Sequence, residues 1–450
     1  MNHRPNILII QADQFAPQAA AIHGGPAQVP ALEALADRGT VFGNAYCNYP
    51  LCAPSRFSML SGQMPFAIGA YDNAAEFASS TPTFLHHLRL AGYHTSLSGK
   101  MHFIGADQLH GFEQRLTTDI YPADFAWLPN WETRSQNWAP IRDSVERGGV
   151  SAYNMQLAFD EDATFQAVRK IYEHSRSPEQ PFCMFVSLTH PHHPFLAPPR
   201  YWDMYDDEAL PDPTVDRLPD DVIDPHSARA REGIGVADAD VTEEQRRRAR
   251  HAYFAAISYF DDKVADLVGA LEAAQILDHT AIVVISDHGE MLGERGLWAK
   301  DCFFEWAMRI PMIVAPPGSA QSTTVETPVS LLDLLPTVLD LAGIDQGDAD
   351  GTSLLSLGTA TRDVVAEYSA EAAVAPAVMI RRGRYKYIHC DADPPMLFDL
   401  DADPNELNNV ADDPAHNPMR LELEAAVHER WDLADISTAM YVRARNSERS

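Results

Sequence analysis

The stretch NILIIQADQ, residues 6–14, joins a short apolar run to a polar end. Consecutive Ile and Leu residues are typical of a strand that is buried on both faces of a parallel sheet. Similar runs recur along the chain after helical patterns: YHTSLS (93–98), FCMFVSL (182–188), AIVVIS (281–286) and IPMIVAPPG (310–318). Strands that alternate with helices predict a doubly wound, mostly parallel α/β sheet.

The helix before AIVVIS has the clearest periodicity. Thr242 and Gln245 have capping-box spacing, so the helix is predicted to begin there. Apolar residues then recur every three or four positions: Phe254, Ile257, Phe260, Val264, Leu267 and Leu271. This spacing predicts one apolar stripe that packs against the sheet.

Near residue 363 the alternation of strand and helix patterns gives way to consecutive short strand patterns. Four short strand candidates, VVAEYS, AVMIRRG, YKYIHC and MLFDL, precede a last helix. We therefore predict a main α/β domain at 1–362 and a small C-terminal antiparallel α+β subdomain at 363–450. Residues 203–241 are rich in Asp, Pro and Arg without periodicity, which predicts a long surface excursion.

The chain is strongly acidic, with 64 acidic against 34 basic residues and a formal net charge of −30. Such a surface disfavours nucleic acid and anionic membranes as partners, so an anionic substrate would need basic groups gathered locally. No targeting segment or membrane-spanning run is visible. The five cysteines are scattered without a C-x-x-C pair, which favours a reducing, cytoplasmic setting.

Polar residues follow the predicted strands. Because ligands of an open α/β sheet bind at the carboxyl ends of its strands, we expect these residues to converge. An oxygen-rich set, with one imidazole, suits Ca²⁺, Mg²⁺ or Mn²⁺; it comprises Asp13, Gln14, Asp287 and His288. A cationic set suits a tetrahedral oxyanion; it comprises Arg56, Lys100, His102, His190 and Lys300. Taken singly, each could instead be a helix cap, a turn residue or a solvated side chain.

The segment NYPLCAPSRFSMLSG, residues 48–62, places a lone cysteine near a helix start. Pro54 suits the first turn of a helix, so Cys52 is predicted just ahead of it, where backbone N–H groups favour negative charge. A thiol there would have a lowered pKa and could attack phosphate. Cysteine-dependent phosphatases, however, have six residues of spacing between Cys and Arg, whereas Arg56 follows after four.

The pattern C-x-P-S-R, followed by LSG, instead resembles the signature of the sulfatase family. Other segments are similar to that family as well: PNILIIQADQ, GYHTSLSGKMHF, ISDHGEMLGERGLW and LFDLDADPNELNNVA. The resemblance spans nearly the whole chain and implies an alkaline-phosphatase-like fold that hydrolyses sulfate monoesters. Within the family the chain looks most like the choline sulfatases, on the segments YDNAAEF, TDIYPADFAW, THPHHPF and VVAEYSAEAAVAPAVMIRRGRYKYI. Ser55 and His193 depart from that branch, which typically has Ala and Asp at these places.

The resemblance implies a specific chemistry. Cys52 would be oxidised by a formylglycine-generating enzyme, and the hydrated aldehyde, a gem-diol, would attack sulfur. One divalent ion, with Ca²⁺ favoured over Mg²⁺ or Mn²⁺, would be held by five residues: Asp13, Gln14, Cys52, Asp287 and His288. The catalytic set would be Cys52, Arg56, Lys100, His102, His190 and Lys300. His190 or Lys300 would protonate the leaving alcohol, and His102 would accept a proton from the second hydroxyl.

The expected substrate is choline sulfate or another small organic sulfate, and the expected assembly is a homo-oligomer. A quaternary ammonium group needs an aromatic face or a carboxylate. The candidates are Trp127, Glu367 and Glu371, with Asn73 and Tyr71 at the mouth of the pocket. Two other functions stay open: a phosphonate monoester or phosphodiester hydrolase that uses the same formylglycine, and a non-enzymatic anion-binding protein whose cysteine is never modified.

Overall fold

A computed structural model describes residues 4–121, 123, 141–234, 241–345, 347, 349–358 and 362–447. Trp127 lies outside the described residues. The strands are β1 Asn6–Asp13, β2 Thr40–Phe42, β3 Ala45–Tyr46, β4 His94–Gly99, β5 Gln114–Arg115, β6 Gly149–Val150, β7 Phe182–Pro191, β8 Leu196–Ala197, β9 Thr280–Ser286, β10 Met312–Ala315, β11 Thr323–Val325, β12 Val329–Ser330, β13 Asp363–Tyr368, β14 Ala377–Arg382, β15 Tyr385–Cys390 and β16 Asp393–Asp399. The helices are α1 Pro30–Ala36, α2 Cys52–Ser61, α3 Phe84–Leu90, α4 Ile141–Glu146, α5 Met155–His174, α6 Pro199–Trp202, α7 Pro225–Ile234, α8 Glu243–Ala273, α9 Glu305–Met308, α10 Leu334–Leu341, α11 Asn417–Arg430 and α12 Leu433–Ser447.

The main sheet has eight strands in the order β11-β2-β10-β9-β1-β7-β4-β5. The central strands β9, β1, β7 and β4 run parallel, whereas β10 is antiparallel to both of its neighbours. A second, four-stranded antiparallel sheet is formed by β13 to β16. The predicted fold class is therefore confirmed.

Both faces of the main sheet are covered, which explains why its strands are continuously apolar. Along β1, Ile7 and Ile9 belong to one hydrophobic cluster, while Leu8 and Ile10 belong to the other. Side chains of a strand alternate between faces, so each cluster receives every second residue. Helices α1, α5 and α8 cover one face, and α2, α3 and α10 cover the other.

The long helix α8 begins as predicted. Thr242 is its N-cap and forms a reciprocal capping box with Gln245. The six apolar residues predicted to form its stripe are all fully buried, and they lie in the cluster on the α5 face of the sheet.

The C-terminal sheet shares a core with the main sheet. Val427 of α11 and Tyr387 of β15 belong to the same cluster as Ile7 and Ile9 of β1. The division at residues 362 and 363 therefore stays a prediction.

Part of the 203–241 excursion folds as α7. Among the described residues, no helix is both long and apolar enough to cross a membrane; the cytoplasmic setting and the homo-oligomer stay predictions.

Candidate active site

The carboxyl ends of four neighbouring strands meet at one edge of the main sheet. Asp13 is the last residue of β1, while Asp287, Lys100 and His192 directly follow β9, β4 and β7. These strands are parallel neighbours, so all four end on the same side. The four side chains are at most 5% exposed. The topology thus concentrates carboxylates and cations in one enclosed place.

A potential metal site lies at the centre of this edge. Ligand atoms of Asp13, Cys52, Asp287 and His288 all lie within 4.8 Å of one another, and all four residues are buried. The Nδ1 atom of His288 lies 3.0 Å from the Gly289 carbonyl oxygen, to which it can only donate. The other nitrogen, Nε2, therefore faces the carboxylates, at 3.8 Å from Asp13 and 3.7 Å from Asp287.

This donor set fits a divalent cation. An imidazole whose outer N–H is held by a carbonyl is a typical metal ligand, because the hydrogen bond fixes the tautomer. Two carboxylate oxygens and this nitrogen point toward one position, and a cation there would relieve the repulsion between them.

Gln14 borders this set, and its carboxamide is engaged elsewhere. Its backbone N–H donates to the Asp287 carboxylate at 3.1 Å. Its side-chain oxygen accepts a hydrogen bond from Lys300 Nζ at 2.6 Å, and its NH₂ group donates to the buried Glu290 carboxylate. The metal role predicted for Gln14 therefore stays a prediction, since this oxygen already has a cationic partner. Glu290, which the sequence analysis missed, fixes the orientation of the carboxamide.

Arg56 pairs with the Asp13 and Asp287 carboxylates of the potential metal site. Its Nε donates to Asp287 at 2.8 Å, and its guanidinium also lies 3.6 Å from Asp13. Further hydrogen bonds go to the Lys100 carbonyl and the Ser187 hydroxyl. Burial alone would lower the pKa of Arg56, but the two carboxylates more than offset it and raise the pKa. The side chain is fully buried and rigidly held.

Cys52 lies at the first position of α2, so the helix begins at the cysteine itself rather than just after it. Its Sγ lies 3.3 Å from His288 Nε2. Burial would raise the pKa of this thiol, but Lys100, Lys300 and His288 more than offset it, and a hydrogen bond with His102 contributes, so the pKa is lowered well below its usual value. The pocket thus stabilises negative charge at position 52.

Lys100 and His102 are placed by the turn after β4. Gly99, at φ +103°, makes that turn possible, because a Cβ there would lie 1.9 Å from the Ser187 carbonyl oxygen. Lys100 Nζ pairs with the Asp13 carboxylate. The His102 ring lies 5.1 Å from the Tyr121 ring, and its backbone N–H donates to Asp119. Both predicted residues therefore lie in the site.

His192 occupies the place that the sequence analysis gave to His190. His190 still belongs to β7 and lies on the α5 and α8 face, where its Nδ1 bonds Asp160 at 2.6 Å and its ring contacts Tyr259. Among the described residues, no hydrogen bond or ion pair joins His190 to Cys52 or Lys300. His192 is the first residue past the strand, and its Nε2 lies 3.3 Å from Lys300 Nζ.

The burial of His192 disfavours its protonated form. Burial lowers its pKa, although Asp13 opposes the shift, and a hydrogen bond with Cys52 also acts on it. Its Nδ1 lies 2.6 Å from the His193 carbonyl oxygen, to which it must donate, so Nε2 accepts from Lys300. The segment HPHHP, residues 190–194, indicated that histidines lie at the end of this strand. Nothing in it indicated which imidazole lies beyond the strand.

The loops of the site hold several non-glycine residues in the left-handed region. They are Gln14 (φ 67°), His102 (63°), Ala299 (64°), Asp301 (53°) and Ala372 (61°). Each such residue costs about 1–3 kcal/mol and persists only where its surroundings determine it, which is common at functional sites.

A cluster of carboxylates adjoins Lys300. The Tyr368 hydroxyl lies 3.2 Å from Asp301 and 3.4 Å from the Glu371 carboxylate. Burial raises the pKa of Glu371 to about 8, Asp301 and Asp72 add to the shift, and Lys300 opposes it. Asp72, Asp301 and Glu371 are hereafter called the acidic cluster. Asp72 and Asp301 were missed, since nothing in their sequence context separates them from surface acids.

Two other predicted substrate ligands have structural partners. Glu367 accepts hydrogen bonds from Trp431 Nε1 and from the Phe66 backbone N–H, both at 2.6 Å. It neighbours Tyr368 on β13, so the two side chains point to opposite faces, and Glu367 points away from the acidic cluster. Its predicted substrate role stays a prediction, and these two hydrogen bonds join the end of α11 to the main domain. Asn73 accepts a hydrogen bond from the Ala53 N–H at 3.0 Å and so caps α2.

Comparisons with known proteins identify the family of this chain. The family profile described as Sulfatase matches residues 5–344, and one described as N-sulphoglucosamine sulphohydrolase, C-terminal, matches residues 293–432. A choline-sulfatase from Rhizobium meliloti (strain 1021) is 48% identical over 97% of this chain and 89% of that protein.

Solved structures show the same fold. A phosphonate monoester hydrolase from Silicibacter pomeroyi has a TM-score of 0.78 and 25% identity, with 94% of each chain covered. A protein solved in complex with its substrate D-glucosamine-2-N,6-O-disulfate has a TM-score of 0.73 and 24% identity, with 95% of this chain and 97% of that chain covered. The profile match over most of the chain and the 48% identity confirm the resemblance seen in the motifs: the chain belongs to the sulfatase family and is a sulfuric ester hydrolase.

Proposed function

We propose that this enzyme hydrolyses a small zwitterionic sulfate ester, with choline sulfate as the substrate, through a formylglycine derived from Cys52. The observation that carries the proposal is the adjacency of two oppositely charged regions. Lys100, Lys300 and His288 lower the pKa of Cys52, and Lys300 also acts on the Asp301 and Glu371 carboxylates of the acidic cluster. Choline sulfate carries an anionic sulfate and a cationic ammonium a few bonds apart, which matches this arrangement.

The sulfate group would bind where cations surround position 52. Charge-assisted hydrogen bonds from ammonium groups are strong in a buried place, and they stabilise the charge that develops on sulfate oxygens. The overall charge of −30 makes this local concentration of cations necessary, because the outer surface repels anions.

The ammonium group would bind beside Asp301 and Glu371. Carboxylates attract a quaternary ammonium without needing hydrogen bonds from it, and Tyr368 adds an aromatic ring to that side. The relative from Rhizobium meliloti is named a choline-sulfatase, which supports the same substrate for this chain.

The residues present would hold one divalent ion through Asp13, Asp287 and His288, and the ion would polarise the reacting oxygens as a Lewis acid. Formylglycine would supply a hydrated aldehyde, one hydroxyl of which attacks sulfur while the other later expels sulfate. Arg56 would hold both carboxylates in place through its ion pairs with them.

Lys300 is the proton donor that we assign to the leaving alcohol. Lys100 is committed to the Asp13 carboxylate. Among the described residues, Lys300 Nζ has two hydrogen-bond partners, the Gln14 carboxamide oxygen and His192 Nε2, and neither is a carboxylate. Burial lowers the pKa of Lys300, but Cys52, Asp301 and Asp13 more than offset it and raise the pKa. Proton transfer from Lys300 would still break no ion pair among the described residues, and His192 would orient the ammonium toward the ester oxygen.

A substrate panel tests the proposal. Purified enzyme with its metal content measured is given choline sulfate, 4-nitrophenyl sulfate, a sulfated monosaccharide and a 4-nitrophenyl phosphonate ester. We expect the highest kcat/KM for choline sulfate, despite its poorer leaving group. A higher kcat/KM for the phosphonate ester would instead favour the phosphonate monoester hydrolase function, which the Silicibacter pomeroyi structure keeps as the second candidate.

Substituting His192 and His190 in separate variants should distinguish their roles. His192→Asn is expected to lower kcat for choline sulfate by about 100-fold, because it removes a group that orients the proton donor. The loss should be smaller for 4-nitrophenyl sulfate, whose leaving group needs no protonation.

His190→Asn is the matched variant. It leaves the buried Asp160 with a weaker partner, so we expect a lower Tm but a kcat within about fivefold of the parent enzyme. Steady-state kinetics and thermal denaturation measure both variants. A larger kcat loss for His190→Asn than for His192→Asn would return the catalytic role to His190.

Removing the charge of Glu371 should weaken binding of a cationic leaving group. At pH 9, where the carboxylate is ionised, Glu371→Gln is expected to raise KM for choline sulfate by about 10-fold, the scale of one desolvated charge contact, and to leave KM for 4-nitrophenyl sulfate unchanged. Because the pKa of Glu371 is raised to about 8, its carboxylate ionises as the pH rises through that value. KM for choline sulfate should therefore fall between pH 7 and pH 9 in the parent enzyme.

This pH dependence should be absent from the Glu371→Gln enzyme and from reactions with 4-nitrophenyl sulfate. Measuring KM for both esters at three pH values is sufficient. An equal pH dependence for the two esters would show that Glu371 does not contact the leaving group.

A further inference from the structure

Helix α7, Pro225–Ile234, belongs to the 203–241 excursion and lies against the loops that carry the acidic cluster. His226 Nε2 lies 2.5 Å from the Asp301 carbonyl oxygen. One turn later, Arg229 Nε donates to the Ala372 carbonyl oxygen at 2.8 Å. Two side chains of one helix therefore contact the main chain at Asp301 and next to Glu371.

Both carbonyls belong to strained residues. Asp301 has φ 53° and Ala372 has φ 61°, and neither is glycine. A left-handed alanine has no favourable side-chain interaction of its own, so external partners must hold it. Around Ala372, the hydrogen bond from Arg229 is such a partner.

Arg229 is itself anchored by an ion pair. Its NH1 and NH2 groups lie 3.0 and 2.5 Å from the two carboxylate oxygens of Asp393, the first residue of β16. The side chains of Arg229 and Asp393 are only 19% and 12% exposed. Because Asp393 holds both NH1 and NH2 of the planar guanidinium, the Nε–H group points in a fixed direction. A lysine ammonium group has no such planar arrangement of donors and could not do this.

We propose that Arg229 is a positioning residue that sets the selectivity of the enzyme for a cationic leaving group. It fixes the Ala372 carbonyl, and through it the neighbouring Glu371, at the distance from Lys300 that a zwitterionic ester requires. The inference rests on the proposed function and deepens it, because it assigns the excursion a role in substrate choice. Arg229 does not contact the substrate.

Arg229→Lys tests the proposal, because it keeps the positive charge but cannot make all three hydrogen bonds, the two to Asp393 and the one to the Ala372 carbonyl oxygen. We expect KM for choline sulfate to rise by about 10-fold, with kcat for 4-nitrophenyl sulfate unchanged within about twofold. Combined with Glu371→Gln, the variant should have the KM of Glu371→Gln alone, because a residue that acts through Glu371 has no effect once its charge is gone.

Arg382→Lys is the matched control. Arg382 forms a bidentate pair with Asp363 in the same C-terminal sheet, at 2.8 and 2.6 Å. Within the described residues, no hydrogen bond or ion pair joins the side chain of Arg382 or Asp363 to the loop at 369–375. We expect a similar change in Tm and no change in the ratio of kcat/KM for the two esters. If Arg229→Lys changes both esters equally, or if its effect on KM multiplies with that of Glu371→Gln, the positioning role is wrong.

The substrate preference of the parent enzyme, which carries no substitution, distinguishes failure of the proposed function from failure of the inference. If the parent enzyme prefers 4-nitrophenyl sulfate over choline sulfate, the proposed function fails, and the inference fails with it. If it prefers choline sulfate and Arg229→Lys leaves that preference intact, only the inference fails.

Discussion

Cys52→Ala should abolish turnover of every sulfate ester, by at least about 10⁴-fold, because it removes the nucleophile itself. The fold should be retained, since an alanine at the first position of α2 keeps the helix and the cations around it. Initial rates with choline sulfate and a thermal melt of the metal-loaded protein measure both expectations. Residual turnover above one hundredth of the parent rate would contradict a nucleophile at position 52.

The mass of the peptide that contains residue 52 tests the chemistry of this nucleophile. Conversion of the thiol to an aldehyde lowers the mass by about 18 Da, and hydration restores it. Cys52→Ser should complete the first transfer only and retain a sulfate group of about 80 Da, because a serine ester has no second hydroxyl to expel it.

Cys183→Ala is the control for this series, because Cys183 is the second residue of β7 and therefore lies at the opposite end of that strand from His192. It should keep both the parent rate and an unmodified peptide mass at its own position. An alkylatable thiol at position 52 in active enzyme would show that formylglycine is not required.

Asp287→Asn is expected to lower turnover by at least about 1,000-fold and to empty the metal site at the same time. The carboxylate would contribute a ligand oxygen, and it also pairs with the buried Arg56 at 2.8 Å. Removing its charge leaves that guanidinium less compensated, which costs about 3 kcal/mol of unfolding free energy. Elemental analysis of the dialysed protein measures the bound metal, and denaturant titration measures the stability.

Asp333→Asn separates metal loss from general destabilisation. Asp333 is also fully buried and also pairs with an arginine, Arg362, at 2.5 Å, but it lies at the start of α10. The two variants should lose similar stability, while only Asp287→Asn loses metal. Unaltered metal content in Asp287→Asn would remove Asp287 from the ligand set.

The elements of the main sheet could be predicted because their physical signal is local. NILII, FCMFVSL and AIVVIS become β1, β7 and β9 because a strand buried on both faces must be apolar throughout. The antiparallel direction of β10 had no such signal, since an apolar run is compatible with either direction.

The site was predictable to the extent that strand ends converge. Asp13, Lys100 and Asp287 lie at the carboxyl ends of strands in one parallel part of the sheet, so identifying the strands was enough to bring these residues together. His190 and His192 could not be separated in this way. Strand β7 continues through His190, and this extra length turns His190 toward Asp160 and leaves His192 at the edge.

The sequence alone determined the family, the alternation of strands and helices, and the two chemical groups at the strand ends, because each depends on residues close together in the chain. Only the tertiary structure decided that Glu367 faces Trp431, and that Glu371 joins Asp72 and Asp301 beside Lys300. Those contacts depend on how the C-terminal sheet packs on the main domain. Such packing is set by the summed burial of many side chains, and no short segment carries it.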